Sequence, residues 1–253
     1  MTDAQDRGEQ SKKIGRLAEK EFSAWCTRAD LTVNKSDEDD EGWDFFLQAK
    51  SSNSPRPFLD REAPAFNALV QVKATGDASG AVRMSLANAL KLAKHGGPAF
   101  LFIAHVEGND IATSWLIHCW KEFISRAIES AIAAENGLLL NERTLVFRPG
   151  VDDRVSKETL RAKLDGAIGD TKTYSPRKSA LVESVGYDEQ RYRVRLRVPV
   201  EDGLDPDRQF GEFLVGARTI EGVSLEIEES RFDVVRPNQA RRERDYHEAA
   251  GRR

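Results

Sequence analysis

The sequence predicts an α/β protein followed by a smaller β-rich module, and three patterns carry that prediction. Across residues 12–29 the apolar side chains Ile14, Leu17, Ala18, Phe22, Trp25, Cys26 and Ala29 recur every three or four positions, the period of an amphipathic helix. Strand-like alternation then appears at residues 43–47 and 69–74, and two further strand-like runs at 99–106 and 112–118 follow a polar helical stretch at 85–94. Beyond residue 180 the helical period gives way to repeated alternation, which reads as a small sheet.

The elements follow in order. Residues 1–11 are polar and are expected to fray or stay disordered ahead of the first helix. The run after Pro98 is apolar enough for a buried strand, and residues 119–135 place Trp120, Phe123, Ile124, Ala127, Ile128 and Ile132 on one helical face. Thr144 to Phe147 reads as another strand. Residues 156–168 read as a helix capped by Ser156, with Leu160, Leu164 and Ile168 four apart. Lys172, Arg177 and Lys178 are assigned to a basic loop. Strands are expected at 181–185, 191–198, 213–216 and 223–228, with turns at Gly186 and at 202–206. The domain organisation that results is 12–140, then a β-rich accessory module at 141–238, then a charged tail at 239–253.

Composition narrows the function classes. With 253 residues and 40% hydrophobic content the chain has enough material for a sizeable core. A formal net charge of -4 argues against a protein that coats nucleic acid nonspecifically, because that affinity comes from Lys and Arg displacing counterions. No apolar run reaches the length of a membrane span, and the polar N-terminus lacks a signal architecture, so no membrane partner and a cytoplasmic location are expected. Cys26 and Cys119 sit in apolar patterns and read as small buried hydrophobes, and His95, His105, His118 and His247 show no metal-ligand spacing. No phosphate-binding Gly-x-x-x-x-Gly-Lys loop occurs, and residues 76–80 read as a turn.

Four polar positions carry the candidate chemistry. In Val70-Gln71-Val72-Lys73 the period of two sends Gln71 and Lys73 to one face, so one strand delivers an oxygen ligand beside an ammonium. Asp44 lies in a strand-like run among aromatic residues, where an uncompensated carboxylate would cost several kcal/mol, on the order of the penalty for a lone buried charge. A divalent cation removes that penalty. Mg²⁺ takes one or two carboxylates and keeps several waters, which suits Asp44, the Gln71 amide oxygen and a backbone carbonyl. Lys73 could orient a metal-activated water and offset charge on a phosphate under attack. Glu19 projects from one edge of the first helix and Glu21 from the other, so both are candidates to lean over the strand ends.

The segments Gly15-Arg16-Leu17-Ala18-Glu19-Lys20-Glu21-Phe22, Asp40-Glu41-Gly42-Trp43-Asp44-Phe45 and Gln71-Val72-Lys73 together resemble the PD-(D/E)XK nuclease superfamily. The likeness is to its Gln-x-Lys branch, which includes Mrr-type restriction enzymes and the DNA-and-RNA effector nucleases of prokaryotic defence. It spans roughly residues 10–135. It implies a restriction-endonuclease-like core, a mixed sheet flanked by helices, with Glu19, Asp44, Gln71 and Lys73 as catalytic residues. Glu19, Asp44 and Gln71 would hold Mg²⁺ or Mn²⁺. The implied activity is phosphodiester hydrolysis in DNA, or also RNA, directed by a regulatory protein or by self-association. The alternative is an inactive nuclease-fold subunit that binds nucleic acid or a protein. Two departures stand out: a turn-rich insertion at 50–57 separates the motif strands, and Gln in place of an acid removes one negative charge from the metal site.

A second candidate surface is the strand in which Arg191, Arg193, Arg195 and Arg197 alternate with apolar residues. Four guanidinium groups on one face, spaced about 6.6 Å apart, could track a phosphate backbone or an acidic partner. The plainer reading pairs them with Glu226, Glu228 and Glu229 on a neighbouring strand.

Overall fold

The computed structural model describes residues 2–36, 42–49, 66–134, 140, 142–187, 192–197, 199–200, 203, 205–217, 224–232 and 234–237. The chain divides into two units, residues 1–185 and 186–253. The expected boundary at 140/141 therefore moves to 185/186. The reason is long-range: Thr144–Phe147 pairs with Val82–Ser85, and Leu160, Leu164 and Ile168 are buried in the first unit's core.

The first unit begins with helix α1 (Thr2–Arg28), followed by strands β1 (Leu31–Lys35), β2 (Phe45–Ala49), β3 (Asn67–Thr75) and β4 (Val82–Ser85). Helix α2 (Leu86–Lys94) leads to β5 (Ala99–Glu107), β6 (Asp110–His118), α3 (Lys121–Ile132), β7 (Thr144–Phe147), α4 (Leu160–Ile168) and α5 (Thr171–Ser184). The central sheet is mixed and five-stranded, in the order β1-β2-β3-β5-β6, and helices flank it. Neighbours are antiparallel except β3 and β5, which run parallel. A parallel pair needs a crossover, and α2 supplies it. Strand β5 is central and buried from Ala99 to Val106, which is why it reads as one apolar run.

Two faces result. On one, α1 packs Phe22 against Phe45 and Phe102, with ring centroids 5.6 and 4.5 Å apart, and Trp25 meets Phe102 edge-on. Ala68, Val70 and Val72 of β3 join this core. On the other, the alternate residues Leu101 and Ile103 are fully buried, on the side where α2 packs against β5.

Three local expectations are corrected in this unit. Helix α1 starts at Thr2, without a frayed lead of eleven residues, because residues 2–11 contain no proline and only one glycine to interrupt it. Helix α4 starts at Leu160: Ser156 engages a preceding turn, accepting from the Glu158 amide, and does not cap the helix. Residues Thr171–Ser184 form α5, so Lys172, Arg177 and Lys178 are helical and the strand expected at 181–185 is absent. Asp170 caps this helix through the Lys172 amide at 3.0 Å, and burial of Tyr174 and Lys178 one turn apart holds it.

The second unit contains β8 (Tyr192–Arg197), α6 (Pro206–Leu214), β9 (Ser224–Arg231) and β10 (Val234–Pro237), with strand order β10-β9-β8. The strand expected at 213–216 is instead the end of α6, started by Asp205 as N-cap and Pro206 in its first turn. Gly186 makes its turn with φ +81.

Candidate functional site

Asp44 is fixed by the backbone before its side chain does anything. Its amide donates to the Val70 carbonyl and its carbonyl accepts from the Ser36 amide, both at 2.9 Å. The β2–β3 ladder ends at Phe45↔Val70, so Asp44 sits just beyond it with its amide still on the Val70 carbonyl. Because Val70 belongs to the α1-facing core, the period of two along β3 turns Gln71 to the opposite face, where the Asp44 side chain reaches it.

There the two side chains meet. Gln71 Nε2 donates to Asp44 Oδ2 at 2.6 Å, and the Val72 amide donates to the same oxygen at 2.5 Å. Gln71 is only 5% exposed, while Asp44 and Lys73 are half-buried. Lys73 stands two residues beyond Gln71 on the same face. The carboxylate thus occupies the end of the β2–β3 ladder, where it satisfies an amide that no β2 carbonyl reaches.

As it stands the pair is closed by its own hydrogen bond, so a hard divalent cation would need the Gln71 amide to turn. Turning the Gln71 amide over would place its oxygen against the Asp44 carboxylate, an arrangement that is repulsive until a cation lies between the two. Asp44, the Gln71 amide oxygen and a backbone carbonyl of this strand pair are the ligands available. Among the described residues no group of three Asp, Glu, His or Cys side chains could hold a metal. An ion here would therefore rest on one carboxylate, neutral oxygens and water, within the habits of Mg²⁺.

Helix α2 forms a wall of the site. Gly42, buried and with φ +76, lies so close to it that an added Cβ would sit 3.1 Å from Asn88 Oδ1 and 3.1 Å from Lys91 Cδ. Sequence reasoning missed both of these residues; the only signal was the polar character of the 85–94 helix immediately after the motif strand.

Glu19 is placed elsewhere. It pairs with Lys35 Nζ at 2.8 Å, and Lys35 shares the α1-facing side of the sheet with its register partner Phe45. That is across the sheet from Asp44 and Gln71. Glu21 lines a groove of about 740 Å³ with Trp25, Arg28, Asp110 and Arg154, near the β5–β6 turn. Asp40, Glu41, the 50–57 insertion, Arg191 and the 239–253 tail lie outside the described residues. In the second unit, register sets Arg193 opposite Glu228 and Arg195 opposite Glu226, as the plainer reading of that strand requires, while exposed Arg197 lies opposite Ser224.

The remaining candidates have structural partners. His118 shares a 2.6 Å hydrogen bond with the Tyr174 hydroxyl and stacks between Phe100 and Trp120. Burial, then the nearby positive charges of Lys178 and Arg177, push its pKa down to about 4, so it is neutral at pH 7. His105 is 4% exposed, 3.6 Å from Glu107. Lys178 is buried and donates to the carbonyls of Leu92 and Gly97, tying α5 to the end of α2. Burial pushes the thiols of Cys26 and Cys119 up to about 12.

No family model matches the chain, and no curated protein or solved structure matches it.

Proposed function

We propose that the first unit is a metal-dependent nuclease that hydrolyses phosphodiester bonds in DNA, with RNA as the other candidate substrate. The observation that carries this is the Asp44–Gln71 contact at 2.6 Å with Lys73 on the same face of β3. One support stands beside it. The order helix, three antiparallel strands, a short strand of a separate sheet, helix, parallel strand is compatible with the restriction-endonuclease-like core that the PD-(D/E)XK resemblance implies. Of the motif residues, Asp44, Gln71 and Lys73 come together while Glu19 pairs with Lys35 instead.

In this reading Asp44 and Gln71 hold Mg²⁺ or Mn²⁺. The ion would act as a Lewis acid on a phosphoryl oxygen and make water a better nucleophile at neutral pH. Lys73 orients the attacking water and offsets charge on the phosphate. Water oxygen bonds to phosphorus, one ester P–O bond breaks, and the leaving oxygen takes a proton from solvent. Glu19 takes part only by releasing Lys35. A setting in prokaryotic defence or restriction, with a regulatory protein or a second copy as partner, rests on the resemblance alone.

A second reading has its own observation: Asp44 Oδ2 already accepts two hydrogen bonds, so the pair is stable without an ion. That would suit a non-catalytic subunit. The test is cleavage of supercoiled plasmid, single-stranded DNA and RNA with Mg²⁺, Mn²⁺ or chelator. Metal-dependent cutting by the wild type, lost in Asp44→Ala and Lys73→Ala, supports the enzyme; no cutting together with no metal binding supports the subunit.

A further inference from the structure

We propose that the outer face of the β4–β7 ribbon, with Arg83 and Arg126 as its contacts, binds the phosphate backbone of the nucleic-acid strand that reaches the Asp44–Gln71–Lys73 site. The proposal rests on the nuclease reading for its ligand and deepens it by saying where the substrate is held away from the metal.

The two arginines come from different elements. In β4, Val82 and Met84 are buried, so the period of two turns Arg83 outward, where it is exposed and opposite half-buried Val146 of β7. Arg126 reaches the same residue from α3: its Nη2 donates to the Val146 carbonyl at 2.8 Å, and its guanidinium lies over the Phe147 ring, 5.3 Å from the centroid. That ring is stacked on Phe123, and Phe123, Ile124, Ala127 and Ile128 are buried, so the helix that carries Arg126 is fixed. Two arginines thus flank Val146, and one has its guanidinium already oriented.

The ribbon is tied to the face that carries Lys73. Register sets Lys73 beside Ile103 and Ile103 beside Trp115. Trp115 is therefore two strand spacings, about 10 Å, from Lys73. Gly80, just ahead of β4, has φ +69 and lies against the Trp115 ring and Pro149, just after β7: an added Cβ would be 2.7 and 2.9 Å from them. The ribbon begins at that contact, and exposed Arg148, next to Pro149, adds a third arginine there.

The chemistry points to a polyanion. A chain with a net charge of -4 holds one only where positive charge is gathered and left unpaired. Among the described residues neither Arg83 nor Arg126 is in an ion pair, although Glu122 and Glu129 stand one turn either side of Arg126 on α3. Arginine presents a planar fork of N–H donors that matches a phosphate, and Arg126 has engaged Nη2 alone. Positive charge at Lys73 and again on the ribbon suits a ligand whose negative charge repeats along its length.

The experiment titrates the full chain with labelled DNA and RNA oligonucleotides in chelator over a salt series and follows cleavage in Mg²⁺. Arg83→Ala and Arg126→Ala should each lower the salt slope of binding by about 0.7–0.9, the loss of one phosphate contact. In both, kcat at saturating substrate should stay within about twofold, since the contact is uniform binding. Arg126→Lys keeps the charge and should keep most of the slope. Lys20→Ala removes an exposed cation from α1, across the sheet, and should leave the slope unchanged. Arg126→Ala also loses the bond to Val146, so thermal melting accompanies each variant; Arg83→Ala breaks no hydrogen bond or ion pair of its side chain among the described residues and carries the test if Arg126→Ala is destabilised. A wild-type slope in Arg83→Ala would overturn the proposal, as would an equal loss in Lys20→Ala. Displacement of the oligonucleotide by poly-glutamate at equal charge would also overturn it, in favour of an acidic protein. If the wild type cuts and the arginine variants bind with its slope, only this proposal falls. If the wild type binds with an arginine-dependent slope and does not cut, only the nuclease reading falls; if it neither binds nor cuts, both fall.

Discussion

Two polar clusters on the central sheet are built around hydrogen bonds of the same length, and they differ in what surrounds them. His118 and Tyr174 meet at 2.6 Å between the rings of Phe100 and Trp120, with Lys178 close by and bound to two carbonyls. Asp44 and Gln71 also meet at 2.6 Å, yet Asp44 is only half-buried and so is Lys73, which follows on the same face of β3. The first cluster is closed: each polar group ends on another protein group and aromatic faces seal it. The second borders solvent at Asp44 and Lys73. A short buried hydrogen bond therefore marks neither cluster as functional. What distinguishes the second is Lys73 two residues beyond Gln71 on the same face of β3.

The largest expected contrast is in activity. Asp44→Ala should abolish metal-dependent cleavage, and Lys73→Ala should cut kcat by about a hundredfold or more, the scale for losing one aligned electrostatic group. His118→Gln should leave cleavage unchanged, measured on the same plasmid. Asp44→Ala also strands the Gln71 amide and the Val72 amide, so its stability should fall by roughly 1–3 kcal/mol in denaturant titration. If His118→Gln abolished cutting while Asp44→Ala did not, the contrast between the clusters would be reversed.

Acid should act through the closed cluster. The folded pKa of His118 is depressed to about 4 from an ordinary value of 6.5, so between these values the unfolded chain binds more protons. Stability therefore falls as pH drops through that window, by up to about 3 kcal/mol from this one group. Unfolding free energies at pH 7 and pH 4 check it: His118→Gln keeps a polar partner for Tyr174 but cannot titrate, and it should flatten this part of the acid limb. A wild-type acid slope in that variant would mean that other groups set it.

A smaller effect is expected at the wall of the open cluster. Gly42→Ala combines φ +76 with a Cβ at 3.1 Å from two side chains of α2. Strain at positive φ costs about 1–2 kcal/mol, and denaturant titration should show a loss of that order. An unchanged unfolding free energy would mean that α2 yields to the added methyl at no cost.

Legibility in the sequence follows the range of the interactions. Strand β5 was readable because both its faces are buried and it shows as one apolar run. The shared face of Asp44, Gln71 and Lys73 followed from strand alternation once the two segments paired. Helix α5 was not readable: residues 181–185 alternate like a strand, and what holds them helical is burial of Tyr174 and Lys178 against distant elements. Lys91 was hidden for a related reason, since only the crossover from β3 to β5 carries α2 back alongside Gly42. The period of α1 likewise gave its apolar stripe without saying which side of the sheet that stripe would cover.

Glu19 supplies the smallest expected effect and the sharpest limit on the site. It bonds Lys35 at 2.8 Å, with the lysine side chain 59% exposed and the glutamate 28%. A pair so open to water contributes roughly 0–1 kcal/mol, and Glu19→Gln should lower stability by no more than that. Cleavage is the informative readout. Across the sheet from Asp44, Glu19 has no route to a cation held there unless the Lys35 pair opens, so Glu19→Gln should retain cleavage within about threefold while Asp44→Ala loses it. Lys35→Ala then breaks the pair without touching the glutamate. If Glu19→Gln were as inactive as Asp44→Ala, and Lys35→Ala raised activity, the carboxylate would be held in reserve by Lys35, and the working site would span both faces at this end of the sheet.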